Sequence, residues 1–209
     1  MKIPGTLYII SAPSGGGKTS LVNALLESVS NLEASISYTT RTKRPGEKEG
    51  IDYHFIDETY FKRLVQEQAF LEYATVFGYH YGTSLEWVTK KVEAGIDVIL
   101  EIDWQGAQQI REKMPESIGI FITPPSWEIL EKRLRLRAQD EETVIKNRMA
   151  DAKAELTHYS EYDYLILNEN FSNALDDLNA ILRVRRLRSA VQKHELAPLL
   201  ETLLRDSKR

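Results

Sequence analysis

The chain has 209 residues, 42% apolar and 28% charged, with a net charge of −4; that is enough apolar matter for one good core carrying small inserted lobes, and the mild acidity speaks against a surface built mainly to hold nucleic acid. The absence of cysteine excludes disulfides, thiolate metal sites and cysteine nucleophiles, and fits a reducing compartment. No apolar run approaches the roughly 18 residues that span a bilayer, and the stretch 7–10 is too short for a signal peptide, so no membrane partner and a cytoplasmic location are expected.

Residues 6–11 (TLYIIS) are a short run of β-formers leading into a glycine-rich turn, which reads as a buried strand feeding a loop. A helix opens at the loop's end over 18–26, with Leu21, Ala24 and Leu25 at helical spacing. The interval 35–95 breaks this rhythm. It is aromatic and polar, contains Arg41, Lys43, Arg44, Pro45 and Gly46, and has short alternating runs around Tyr53 and Phe70, so it reads as an inserted α+β lobe. Residues 98–102 (VILEI) and 118–123 (IGIFIT) are further buried strands, followed by helices over 104–114 and 127–137; Pro124, Pro125 and the N-cap candidate Ser126 announce the second. The polar stretch 137–142 is a connector between two helices, 164–167 (YLIL) a last strand, and 171–193 one long amphipathic helix. Strands alternating with helices predict an α/β fold with a parallel sheet covered on both faces. The division expected is a core of 1–34, 96–126 and 156–209, a lobe of 35–95, and a helical lid with its flanks over 127–155.

Residues 12–19 (APSGGGKT) follow the strand and open the helix with the spacing of a P-loop. The glycines let backbone N–H groups turn inward around a phosphate, and the helix starting at Lys18 adds its positive end. Lys18 has the reach for β- and γ-phosphates, and the Thr19 hydroxyl is a ligand type for Mg²⁺. Ser11, Ala12, Pro13, Ser14, Gly15, Gly16, Gly17, Lys18 and Thr19 are therefore the candidates for a donor nucleotide's phosphates. The strict pattern begins with Gly where this chain has Ala12. By itself the loop identifies a nucleoside tri- or diphosphate and leaves the acceptor open.

Glu101 and Asp103, two apart, share one side of a strand at its C-terminal end, the edge where open α/β sheets bind ligands; Asp103 could also cap the following helix. Arg133 and Arg137 are one helical turn apart, with Arg148 beyond the connector, while Arg135 and Lys43 read as solvated surface. His54, His80, His158 and His194 show no metal-ligand spacing. The run 183–188 (RVRRLR) lacks aromatic interleaving and reads as a solvated or subunit-contact face, which leaves homo-oligomerisation open.

The segment 39–55 (TTRTKRPGEKEGIDYHF) resembles the signature of the guanylate kinases, the GMP kinases of the P-loop nucleoside monophosphate kinase family. It places Arg41, Arg44, Glu47, Gly50, Tyr53 and Phe55 without mismatch, and together with the P-loop, residues 81–83 and 103–106 it extends the resemblance over nearly the whole chain. The resemblance implies a lobe that binds GMP, with Arg41, Arg44, Tyr53 and Tyr81 on its phosphate; two guanidinium forks and a tyrosine hydroxyl suit a dianion on chemical grounds as well. It places Ser37, Glu72, Thr83 and Asp103 against the nucleoside. A carboxylate that accepts from guanine N1–H and N2–H₂ is the chemistry such a base requires. Thr83 stands where the family often has Ser, and Glu101 where it commonly has Asp. The resemblance further implies that Arg133, Arg137 and Arg148 close over ATP, that Asn168 lies on its adenine side, and that Lys18, Arg41, Arg137 and Arg148 serve the transfer itself. Mg²⁺ is implied as cofactor, held by Thr19 and by Glu101 through water. A non-catalytic scaffold module of the same type is disfavoured because Lys18 and Thr19 are present, and a P-loop kinase for another acceptor is disfavoured by 41–55 and Glu72.

Overall fold

A computed structural model describes residues 3–137 and 142–206. The chain begins with β1 (Leu7–Ser11), α1 (Lys18–Ser28) and β2 (Leu32–Ala34). The stretch that interrupts the rhythm follows as β3 (Tyr38–Thr39), β4 (His54–Phe55), α2 (Glu58–Gln66), β5 (Phe70–Val76), β6 (Tyr79–Ser84) and α3 (Leu85–Glu93). Alternation then resumes with β7 (Asp97–Glu101), α4 (Trp104–Lys113), β8 (Ile118–Thr123), α5 (Trp127–Arg137), α6 (Glu142–Leu156), β9 (Tyr164–Leu167) and α7 (Phe171–Arg186), and the chain ends in α8 (Ser189–Glu195) and α9 (Ala197–Asp206). No helix among the described residues is long and apolar enough to cross a membrane.

Five strands form an all-parallel sheet in the order β2-β7-β1-β8-β9. Every residue of β1 is buried, as a central strand covered on both faces must be. Its side chains alternate between two cores. Tyr8 and Ile10 pack with Ile99, Ile120 and Ile122 against α1 and α7, through Leu21, Leu25, Leu178 and Leu182. Leu7 and Ile9 pack with Val98, Leu100 and Phe121 against α3 and α4, through Val88, Ala107 and Ile110. Each such side chain, fully withdrawn from water, contributes roughly 1.5–3 kcal/mol. Helix starts follow their caps: Asp57, Ser84, Asp103 and Asn170 each accept the backbone N–H of the residue three ahead.

A second, four-stranded sheet has the order β4-β3-β6-β5, with β3 and β4 parallel and the rest antiparallel. Its β5–β6 hairpin turns through Phe77 and Gly78, both at positive φ (52° and 78°), as a two-residue turn of this hand requires. That turn fixes the register, and the register sets Glu72 directly opposite Thr83.

Two expectations need correction. The helix expected over 171–193 stops at Arg186 and restarts as α8, because beyond Leu182 the apolar positions no longer meet the sheet: Val184 and Leu187 are exposed. Nor is the run 183–188 simply a solvated face. Arg186 donates through Nε to Asp97 Oδ2 at 2.8 Å and through Nη2 to the carbonyls of Ser30 and Asn31. Asp97 is buried at the start of β7, and its Oδ1 accepts the Thr6 N–H at 2.7 Å. The pair ties α7 to the end of the sheet remote from the phosphate loop. Arg186→Ala should therefore leave a buried carboxylate without its cation and lower stability by about 2 kcal/mol. Arg183→Ala, on the exposed side, should stay within about 0.5 kcal/mol of the parent. Denaturant midpoints of the two variants check both.

Candidate active site

The C-terminal ends of β1 and β7 deliver their polar residues to one edge. Ser11 Oγ donates to the Ile102 carbonyl at 2.8 Å, and Lys18 Nζ approaches the same oxygen at 3.4 Å. Gly15 and Gly17 take φ of 85° and 92°, the left-handed region that lets the loop curl, and the Gly16 N–H closes on the Pro13 carbonyl at 2.7 Å. A Cβ on Gly16 would stand 3.0 Å from the Ala12 methyl, so the loop accommodates Ala12 by keeping residue 16 bare. Thr19 Oγ1 donates to Glu101 Oε2 at 3.0 Å, which sets a hydroxyl beside a carboxylate at the mouth of the loop.

Helices α5 and α6 pack directly on this loop. Leu130 and Leu134 of α5 lie over Gly15, within 3.0–3.2 Å of where its Cβ would be, and cluster with Met149 and Ala152 of α6. Arg133 Nη2 donates to the Asn168 carbonyl at 3.0 Å, while its buried Nη1 has no partner among the described residues. Arg148 is half-buried on α6, and Arg135 pairs with Glu131 on the surface. Arg137 ends α5, and its side chain, like the connector 138–141, lies outside the described residues. Asn168, expected on the adenine side of ATP, also has a role within the protein. It is buried, and its Nδ2 donates to the Gly16 carbonyl at 2.8 Å, bracing the loop from beneath. A side chain on Gly17 would collide with that amide at 2.2 Å.

Across the edge, Arg41 is buried, and its fork grips Glu47: Nη1 reaches Oε2 at 3.1 Å and Nη2 reaches Oε1 at 2.7 Å. Its guanidinium lies 5.2 Å above the Tyr53 ring, and Tyr53 meets Tyr81 edge-on at 5.9 Å. Burial works against the Arg41 charge, but the bonds to Glu47 and Tyr81 outweigh it and hold the pKa above its ordinary value. Arg44 and Lys43 are exposed, with Glu47 Oε2 accepting the Arg44 N–H at 2.8 Å, and Ser37 is half-buried beside β3. Glu72 is the most confined acid of the set. It is 3% exposed, and its Oε1 accepts the Thr83 hydroxyl at 2.5 Å. Burial pushes its carboxyl from 4.5 up to about 7, helped by the charge of Asp103 and opposed by the Thr83 bond. Asp103 itself caps α4 through Oδ1 and accepts Gln105 Nε2 through Oδ2.

The guanylate kinase family description matches residues 4–185. The chain belongs to the guanylate kinase family. The guanylate kinases of Coxiella burnetii and Alcanivorax borkumensis are 53% and 55% identical to it over 198 and 200 residues, spanning 95% and 96% of this chain and 96% and 97% of theirs. The crystal structure of guanylate kinase from Anaplasma phagocytophilum matches with a TM-score of 0.75 at 37% identity over 90% of each chain.

Sequence reasoning misses several residues that shape this guanylate kinase site. Gly106 has no side chain because Glu72 Oε2 would lie 2.4 Å from its Cβ. Gln109 accepts the Tyr73 N–H at 3.2 Å and donates to the Tyr73 carbonyl at 2.7 Å, while Lys113 Nζ donates to the Leu71 carbonyl at 2.5 Å. One face of α4 thus clamps β5 on both sides of Glu72. Glu155 of α6 reaches the phosphate loop across 141 residues of chain, and no local pattern announces it. The histidines hold ordinary polar partners: His54 sits 3.1 Å from Glu49, and His158 stacks on Trp104 at 3.9 Å.

Because the folded-state pKa of Glu72 is raised, the folded protein binds this proton more tightly than the unfolded chain. The resulting stability is fully present below about pH 4.5 and is lost as pH rises through about 7. Glu72→Gln removes the penalty. Nucleotide-free E72Q should melt close to the parent at pH 4.5 and be more stable by up to about 3 kcal/mol at pH 8, in urea titrations at the two pH values.

Proposed function

We propose that the chain transfers the γ-phosphate of ATP to GMP, giving ADP and GDP. The observation that carries the reading is the buried Glu72–Thr83 pair set across the β5–β6 hairpin, within reach of the Asp103 charge and on the same sheet as the β3 strand that leads to the Arg41 fork. A carboxylate in that place accepts from guanine N1–H and N2–H₂ together, and the Thr83 hydroxyl serves the base edge beside it. Adenine turns its N1 acceptor towards the same carboxylate and is rejected. Guanine's donors favour the charged form of Glu72, so GMP binding drives its proton off near neutrality, and kcat/KM for GMP falls below about pH 7.

In this reading Arg41, Arg44, Tyr53 and Tyr81 hold the GMP phosphate, with Ser37 and Asp103 on the nucleoside. Residues 11–19 hold the ATP phosphates. Arg133 offers its unpartnered Nη1 to the donor, and Arg137 and Arg148 complete the charge around the transferring group. Asn168 acts on ATP through the loop it braces. The attacking GMP phosphate oxygen is already ionised, so the residues orient, neutralise and exclude water, with no general base. Thr19 Oγ1 and Glu101 Oε2 are hard oxygen donors placed side by side, which fits Mg²⁺, an ion that needs few protein ligands when phosphates supply the rest. Bound there, Mg²⁺ would neutralise charge on the donor's phosphate oxygens. The same reading extends to dGMP, whose base presents the same edge, and to action in the cytoplasm.

A coupled assay of ADP formation with GMP, dGMP, AMP, CMP and UMP tests the proposal. GMP should be the best acceptor; faster turnover of AMP or UMP would overturn it. E72Q should raise KM for GMP about a hundredfold or more while KM for ATP stays within about threefold, and equal losses for both nucleotides would sink the Glu72 assignment. Lys18→Ala should abolish measurable transfer.

A further inference from the structure

The last turn of α6 sends Glu155 into the phosphate loop, where its Oε2 accepts the Ser14 N–H at 3.0 Å. Ser14 stands two residues into a loop that curls through Gly15 and Gly17 at positive φ and ends on a helix N-terminus, the construction that gathers inward-facing N–H groups around an anion. Lys18 is the opposite charge that faces Glu155, while Asp103 from the start of α4 and Asp151 one turn back on α6 are the like charges that face it. The carboxylate therefore brings the sign and acceptor oxygens of a phosphate group to one N–H of that loop. It is not needed to seat its helix, since α6 is anchored by Ile145 and Ala152, both buried, and Ala152 packs with Leu130 and Leu134.

We propose that Glu155 is a built-in competitor of the donor nucleotide: in the empty protein its carboxylate occupies an anion position of the phosphate loop, and an arriving ATP phosphate evicts it. Glu155 and Arg148 are seven residues apart on α6 and so share a face of that helix. Eviction acts on the same face that carries Arg148, so donor occupancy is passed to α6 directly through Glu155. The competing state lowers apparent affinity by the fraction of molecules that hold it. Burial pushes the Glu155 carboxyl up to about 7, against the pull of Lys18 and the Ser14 N–H, so competition strengthens as pH rises through neutrality. The proposal rests on ATP binding at residues 11–19.

Equilibrium titration of ATP with magnesium into the full chain, with Glu155→Gln, Glu155→Ala and Asp151→Asn beside the parent, tests it. E155Q keeps the shape and an oxygen for Ser14 but removes the charge, and should bind ATP about tenfold more tightly than the parent at pH 8, with the gap narrowing towards pH 6. E155A should bind at least as tightly as E155Q, and both should leave the dissociation constant for GMP unchanged. D151N removes a like charge near Glu155 without touching the Ser14 bond and should not tighten ATP. Unchanged or weaker ATP binding in both Glu155 variants overturns the proposal while leaving the P-loop reading intact, and equal tightening in D151N overturns it in favour of a general field. A parent that binds no ATP overturns both readings.

Discussion

A parallel strand with neighbours on both sides has no freedom in where its end emerges, and the site depends on that constraint. β1 is buried along its whole length between β7 and β8, so the phosphate loop leaves the sheet at a fixed place beside Glu101, Ile102 and Asp103. Parallel pairing sends every strand's carboxyl end to the same edge, which explains how residues 82 or more apart in sequence, such as Thr19 and Glu101, reach hydrogen-bonding distance. The opposite edge is held by the Thr6–Asp97–Arg186 link. With both ends fixed, the loop can be strained at Gly15 and Gly17 and braced by Asn168 while the sheet beneath stays in place.

Confinement of acids is the second constraint, and it sets stability against function. In the proposed reading Glu72 would serve guanine because it is withdrawn from water, and that same withdrawal destabilises its charge. The clamp from α4 makes the withdrawal possible. Gly106 leaves room for Oε2, and Gln109 and Lys113 hold the β5 backbone so that Glu72 cannot swing out to solvent. A site made comfortable for the empty protein would give up the donor–acceptor complementarity that distinguishes guanine from adenine.

What the sequence makes legible follows the range of the interactions involved. The parallel sheet, the P-loop and helices 104–114 and 127–137 are written in local periodicity and in the glycine run, and the structure has them with end shifts of a residue or so. The grouping of Arg41, Glu47 and Tyr53 was legible through the resemblance of 39–55 to the guanylate kinase signature, and the structure brings the three together. The Glu72–Thr83 bond is local too, once the Phe77–Gly78 turn sets the register. Illegible were the contacts between distant elements. Asn168 on the Gly16 carbonyl, Arg186 on Asp97 and Glu155 on the Ser14 N–H span 152, 89 and 141 residues, and no local pattern announces any of them. The edge strand β2 was missed because three residues carry too little pattern to register.

A cleft proposed for two polyanions carries Glu47, Glu72, Glu101, Asp103 and Glu155, like charges that would repel a phosphate if left unpaired. The pairings resolve the conflict. Glu47 fills the Arg41 fork, Glu155 takes the Ser14 N–H, Glu101 accepts from Thr19, and Glu72 accepts from Thr83. The Glu47 and Glu72 carboxylates satisfy buried donors, the Arg41 fork and the Thr83 hydroxyl, which would otherwise cost more left bare than a made bond returns. In the proposed reading, phosphate oxygens take the place of carboxylate oxygens at the Arg41 fork and the Ser14 N–H, and Glu72 supplies the selectivity, as the acid whose preferred partner is a base.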